Sequence, residues 1–118
     1  MTLITSAQRQ QLLANGRATA AATLQDRAID HFPVVKFFTP VSNATWLLTE
    51  IDPEDPDCAF GLCDLGLGCP ELGYVSLSEL ESVRGRLGPL VERDRYFEAD
   101  KPLSAYAADA RATIDLSK

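Results

Sequence analysis

The chain has 118 residues, 46% of them apolar, so it is long enough to form one domain (1–118) with its own hydrophobic core. Its net charge of −6 disfavours broad binding to nucleic acids, which carry charge of the same sign. The sequence has neither a run of about 18 apolar residues nor a secretory signal pattern, so we expect a cytoplasmic protein that does not enter a membrane.

Residues 1–32 predict a helical lead-in to the rest of the domain. Thr5 and Gln8 have the spacing of a capping box, ahead of a helix that Gly16 would end. An alanine-rich second helix would follow, weakly amphipathic through Leu24 and Ile29.

Residues 33–97 predict an antiparallel sheet and one capped helix. Runs of β-branched and aromatic residues predict strands over 34–39, 45–51, 59–64 and 73–75, and a more polar run predicts an edge strand over 90–97. Ser76 and Glu79 form a second capping box, for a helix that Gly85 would end.

Residues 102–118 predict a C-terminal helix, capped by Ser104, and a tail. The resulting fold class is α+β. It is a single domain with a mainly antiparallel sheet of four to five strands, flanked by N-terminal, central and C-terminal helices.

An acidic loop lies between the second and third predicted strands. Asp52, Asp55 and Asp57 carry the oxygen ligands that Ca²⁺ and Mg²⁺ prefer. Two prolines interrupt this run, and prolines alternating with acidic residues are typical of a solvated hairpin turn. We therefore expect no metal and no other cofactor, and these three aspartates would be the ligands if a metal were bound.

The thiols and the single histidine predict structural roles. Cys58, Cys63 and Cys69 lack the fourth ligand that a structural zinc site needs, so we expect buried, reduced thiols that act as small apolar residues. His31 lies just before a predicted strand, and no nucleophile motif accompanies it elsewhere in the chain.

Four of the eleven basic residues are arginines within twelve positions, at Arg84, Arg86, Arg93 and Arg95. In an acidic protein such a cluster could bind a phosphate group or an acidic partner surface. Arg93 and Arg95 would share one face of the predicted edge strand. In the alternative interpretation, the acidic residues between them already neutralise these arginines.

Four segments share a pattern with a known family: VVKFFTP, ATWLLTEIDPEDPD, FGLCDLGLGCPELGYVSLSELESVRG and VERDRYFEADKPLS. They resemble the DUF2958 family, bacterial proteins of unknown function. The resemblance extends from Val34 to about Tyr106 and is most specific over Leu72–Gly85. It implies a gene on a plasmid or an integrated mobile element. Arg86 departs from the family pattern, in which proline follows the glycine.

These observations predict a non-enzymatic accessory or regulatory protein that binds a macromolecular partner, a protein rather than a nucleic acid. Its role would lie in defence evasion or in maintenance of the mobile element. The alternative is a small enzyme acting on a phosphate-containing or nucleic-acid substrate, with the arginine cluster as an anion clamp.

Overall fold

A computed structural model describes residues 3–40, 42–85 and 88–116. Its elements in chain order are α1 (Ser6–Thr23), β1 (Val35–Phe38), β2 (Thr45–Asp52), β3 (Asp55–Asp64), β4 (Glu71–Ser76), α2 (Leu77–Ser82), β5 (Arg84–Gly85), β6 (Gly88–Pro89), β7 (Glu92–Arg93) and α3 (Leu103–Leu116). The main sheet is antiparallel, in the order β4-β3-β2-β1-β7, and β5 pairs with β6 in a separate ribbon. The predicted α+β class with a mainly antiparallel sheet is confirmed.

Helix α1 is one continuous helix where the sequence predicted two. The capping box is confirmed, because Thr5 Oγ1 accepts from the Gln8 amide at 3.1 Å and Gln8 Oε1 accepts from the Thr5 amide at 2.9 Å. The predicted break at Gly16 is wrong. A Cβ at Gly16 would lie 1.9 Å from the carbonyl oxygen of Ile51, so the glycine allows α1 to approach β2.

The second predicted helix forms only as far as Thr23, as the end of α1, and its remainder is not helical. The chain turns after Thr23 and passes through Asp26, which has a φ of 55°. Leu24 and Ile29, the residues that would make this helix amphipathic, are 89% and 41% exposed. Because neither side chain gains burial, packing does not stabilise a helix in this segment.

The four predicted central strands correspond to β1–β4. Strand β3 begins four residues earlier than predicted, and β4 is longer at both ends. Most of the acidic loop is therefore strand, and only Pro53 and Glu54 remain in the turn between β2 and β3. The hairpin turn predicted between the second and third strands is therefore confirmed.

The sheet has a core on each face, because alternate residues of a strand point to opposite sides. Trp46 and Leu48 belong to the larger core, which includes Leu12 of α1, whereas Leu47 packs in the smaller core with Leu103 of α3. The buried residues of the larger core are Leu3, Ile4, Leu12, Val35, Phe37, Ala44, Trp46, Leu48, Ile51, Ala59, Leu77 and Val91. The smaller core consists of Leu62, Leu103 and Ala107, with Leu47, Phe60, Tyr106 and Ala110 packed against it.

The central helix and the predicted edge strand are both shorter than the sequence predicted. Ser76 Oγ accepts from the Glu79 amide at 3.2 Å, which confirms the N-cap, but α2 ends at Ser82 and Gly85 lies in β5. The edge strand over 90–97 shrinks to β7, because Asp94 Oδ1 accepts from the Tyr96 amide at 2.9 Å and turns the chain.

Gly16→Ala should lower the free energy of unfolding by about 1–3 kcal/mol, because the added methyl group would push α1 away from β2. Gly73→Ala is the matched control, since a Cβ at Gly73 meets no atom within 4 Å. Urea unfolding of the two variants measures the difference. Equal midpoints would show that the contact between α1 and β2 tolerates a side chain.

Candidate functional site

The structure describes the side chains of two of the four clustered arginines. Arg93 Nη1 donates a hydrogen bond to the carbonyl oxygen of Leu3 at 2.8 Å, and Arg95 is exposed in the turn after β7. Because β7 ends at Arg93, the two residues do not share a strand face as expected. Arg86 and the side chain of Arg84 lie outside the described part of the chain, so the predicted anion site remains a prediction.

Arg93 belongs to a clasp that holds the N-terminal segment. The amide of Leu3 donates to Glu81 Oε1 at 3.0 Å, and its carbonyl accepts from Arg93. Leu3 and Ile4 are consequently fixed in the larger core. Nothing in the local sequence indicates this clasp, because its partners are 78 and 90 residues away from Leu3 along the chain.

Arg93→Ala should destabilise the protein by about 1–2 kcal/mol, because a charge-assisted hydrogen bond to a half-buried carbonyl is lost. Arg95→Ala is the matched control and should leave the unfolding midpoint unchanged, since that side chain is exposed. Chemical unfolding of both variants provides the test. If the two variants melt together, the clasp does not stabilise the fold.

The three aspartates named as metal candidates accept hydrogen bonds from the protein itself. Asp52 Oδ1 accepts from the Glu54 amide at 2.9 Å, and Asp55 Oδ1 accepts from the Asp57 amide at 3.2 Å. Both arrangements are turns closed by an aspartate side chain. Across the described ranges, no three His, Cys, Asp or Glu residues are grouped so that they could hold a metal ion.

Asp57 caps helix α2 from the neighbouring strand β3. Its Oδ1 accepts from the Ser78 amide at 2.8 Å, and its Oδ2 accepts from the hydroxyls of Ser76 at 2.5 Å and Ser78 at 2.9 Å. The hydrogen bond from Ser76, followed by the two from Ser78, holds the pKa of Asp57 below its ordinary value. The charge of Arg9 acts in the same direction. Asp57 thus joins β3 to the start of α2.

The lowered pKa of Asp57 predicts an acid-dependent contribution to stability. Since the folded-state pKa is depressed, this contribution is present above the ordinary value of 3.8 and is lost as the pH falls through the lower, folded value. Asp57→Asn should lower the unfolding midpoint at pH 7 and flatten its decline in acid. Asp26→Asn is the control, because it changes an exposed aspartate and asparagine tolerates its positive φ. Parallel acid profiles of wild type and Asp57→Asn would contradict this role.

Two of the three thiols, Cys58 and Cys63, are poor candidates for a nucleophile. Cys58 and Cys63 are half-buried, and burial raises the pKa of both, helped by nearby aspartates at Cys58 and by Glu71 at Cys63. A raised pKa reduces the thiolate fraction, which is the nucleophilic form. Cys69 is exposed and the other two cysteines are only half-buried, so the expectation that all three cysteines are buried is wrong.

His31 and Asp30 connect three parts of the fold. His31 Nε2 lies 2.9 Å from Thr19 Oγ1 in α1, and the His31 carbonyl accepts from the Leu103 amide at 3.0 Å. Asp30 accepts from both the amide and the hydroxyl of Ser104. The first turn of α3 is therefore bound by Asp30, and Ser104 lies inside the helix instead of preceding it.

The clearest unfilled surface is at the outer strand β4. Only β3 pairs with it, and no other backbone segment in the described ranges bonds to its outer side. Leu72 and Tyr74 lie opposite Leu62 and Phe60, on the face that α3 packs against, and the Tyr74 and Phe60 rings meet edge to face at 5.1 Å. Helix α3 covers Leu62, which is 4% exposed, but leaves Leu72 43% and Tyr74 66% exposed.

We call the outer backbone of β4, with Leu72 and Tyr74, the β4 edge. It continues the smaller core beyond the cover of α3, so an apolar strip runs from the interior to the surface. Such a strip next to unpaired strand backbone is typical of a surface that binds another chain.

The β4 edge lies in a segment of one charge sign. Residues 37–83, the acidic segment, contain nine of the seventeen acidic residues and none of the eleven basic ones. The segment contains the end of β1 and all of β2, β3, β4 and α2. Glu71 and Glu79 are exposed near the two ends of β4, and Asp57 bonds to Ser78 at the start of α2.

A concave site lies at the hairpin of β1 and β2. An open pocket of about 460 Å³ is lined by the residues Lys36, Phe38, Thr39, Ser42, Asn43, Ala44, Thr45 and Asp94. Lys36 Nζ lies 4.0 Å from Asp94 Oδ2, so the positive charge in this pocket is already compensated. The pocket offers hydroxyl and amide groups without a net charge to attract an anion.

A family model described as "Protein of unknown function (DUF2958)" matches residues 3–116. The chain belongs to the DUF2958 family. Comparisons with curated proteins and with solved structures returned no match. The resemblance noted from the sequence is thus confirmed, and membership assigns no activity. In the described ranges of this DUF2958 protein, no helix is long and apolar enough to cross a membrane.

The β4 edge of this DUF2958 protein was missed by reasoning from the sequence. The strand itself was predicted, but its outer position in the sheet depends on strand order. One signal was available in the sequence, because the absence of Lys and Arg over residues 37–83 can be read directly. That absence points to an acidic surface, where the predicted arginine cluster had pointed to a basic one.

Proposed function

We propose that this protein is a small accessory or regulatory protein that acts by binding another protein at the β4 edge. The observation that supports the proposal is the outer side of a six-residue strand, to which no described backbone segment bonds, with Leu72 and Tyr74 exposed beside it. Proteins usually protect a sheet edge by covering it or by placing charges or prolines on it. Within β4 only Glu71 is charged, and it is the first residue of the strand.

The charge of the acidic segment favours a partner with a basic surface. Nine carboxylates and no cationic side chain over residues 37–83 would attract positive charge and repel the phosphates of a nucleic acid. The family resemblance adds the expectation that the gene is carried by mobile DNA and that the partner belongs to defence or element maintenance.

The alternative enzyme hypothesis has less support from the described residues. Arg93, one of the proposed anion ligands, donates to Leu3, and Lys36 in the open pocket is paired with Asp94. The pKa values of Cys58 and Cys63 are raised, which disfavours a thiolate nucleophile. A binding role requires none of these groups.

The proposal predicts that binding depends on the two exposed side chains of β4. The immobilised wild-type protein should capture a partner from an extract of the native host. A double variant, Leu72→Ala with Tyr74→Ala, should capture about tenfold less of that partner. Truncating two central interface side chains costs that much or more. The control is Leu24→Ala with Tyr96→Ala, which removes the same two residue types at positions that are 89% and 94% exposed.

Quantitative mass spectrometry of the retained proteins measures the effect, after melting curves show that both double variants are folded. A protein held by wild type and the control, but released by the β4 variant, supports the proposal. A set of retained proteins that is the same for all three, or retention of none, contradicts it.

A further inference from the structure

We infer that the partner contributes an extended segment that pairs with β4 as a sixth strand of the sheet, and that apolar and basic side chains alternate along this segment. The inference rests on the proposed function and specifies how the partner is recognised. It is carried by three features of the β4 edge: its unpaired backbone, the identity of the side chains on its two faces, and the charge around it.

The backbone of β4 provides the binding groups. In an antiparallel sheet, alternate residues of an outer strand direct their N–H and C=O groups away from the neighbouring strand. Strand β4 bonds to β3 on one side, and none of the described backbone bonds to the other side. At about 3.3 Å per residue, its six residues offer about 20 Å of strand for pairing.

The two faces of β4 differ in a way that selects side chains of a paired strand. On the face that α3 packs against, Leu72 and Tyr74 would lie beside apolar side chains of the partner. The opposite face presents Glu71, which is exposed, Gly73, where a Cβ would meet no atom within 4 Å, and then Val75, which is half-buried against the larger core. A long basic side chain has room to lie across Gly73 and to reach the carboxylate of Glu71.

Apolar and basic side chains should alternate in the partner because side chains of a β-strand point to opposite faces with a period of two residues. Successive residues of the added strand would point to the two faces in turn, so apolar residues meet Leu72 and Tyr74 while Lys or Arg residues meet Glu71. The remaining carboxylates of the acidic segment add attraction for the same cations.

Charge also argues against a second copy of this chain as the occupant. Pairing β4 with β4 of another copy would bring two acidic segments together, each with nine carboxylates and no basic residue. Bringing surfaces of like charge together across an interface is unfavourable. A basic segment of a different protein satisfies both the backbone and the charge of this edge.

A synthetic peptide of about eight residues, alternating valine and lysine with blocked termini, tests the inference on the full chain. The matched control peptide has the same composition with the valines and lysines in two blocks, so that charge and apolarity are kept and alternation is lost. We expect the alternating peptide to bind at least about tenfold more tightly by isothermal titration, because only it satisfies both faces at once. Leu72→Ala with Tyr74→Ala should remove that advantage, and Leu24→Ala with Tyr96→Ala should keep it.

Amide hydrogen exchange, followed by NMR, reports the backbone pairing directly. In the free protein every second amide of β4 should exchange quickly, and the alternating peptide should slow those amides at least about tenfold while leaving the others unchanged. Binding through side chains alone would not produce this alternate pattern.

Equal affinity for the two peptides, no binding of the alternating peptide at about 1 mM, or unchanged exchange of the β4 amides would each overturn the inference. A dimer of the protein alone that is dispersed by the Leu72 and Tyr74 double variant would overturn it as well, since the edge would then hold a second copy. If one of these results is obtained but capture from the extract still requires Leu72 and Tyr74, only the inference about the added strand fails and the proposed function is retained. Capture that is indifferent to both residues removes the proposed function itself.

Discussion

The rest of the fold depends on the distance at which α1 lies on the sheet, and the contact of Gly16 with the Ile51 carbonyl sets this distance. At this distance Leu12 reaches the larger core, and Asn15 Nδ2 donates to the carbonyl oxygen of Thr49 at 2.8 Å. Thr49 falls at an irregularity in the pairing of β2 with β3, where one residue has no partner in the ladder. The helix therefore supplies a hydrogen bond at the position where the sheet lacks one.

Carboxylates from distant segments bind the first turns of the two shorter helices. Asp57 accepts from residues at the start of α2, and Asp30 does so at the start of α3, 74 residues along the chain. A negative charge at a helix N-terminus meets unpaired amides and the positive end of the helix dipole. Part of the acidic character of this protein is thus structural, which explains why carboxylates that look like metal ligands in the sequence have other partners.

The success of the sequence-based predictions depended on how far apart the interacting residues are. Thr5 and Gln8 are three residues apart, and the strands carry their own apolar pattern, so both were found. The local sequence at Gly16 indicates a helix end, because the residue that requires a glycine there, Ile51, lies on another element. The clasp of Leu3 by Arg93 and the cap of Ser104 by Asp30 were missed for the same cause. Strand order, which makes β4 an outer strand, is a property of the assembled sheet and is not encoded locally.

The charge pattern of the acidic segment has a consequence for covalent chemistry. The three lysines of the chain are Lys36, Lys101 and Lys118, so no primary amine side chain occurs anywhere in β2, β3, β4 or α2. Acetylation, methylation or ubiquitination of lysine cannot alter the charge of this region directly. An amine-to-amine cross-linker would likewise pass over the β4 edge, whereas carboxylate activation would join Glu71 or Glu79 to a lysine on whatever protein lies against it.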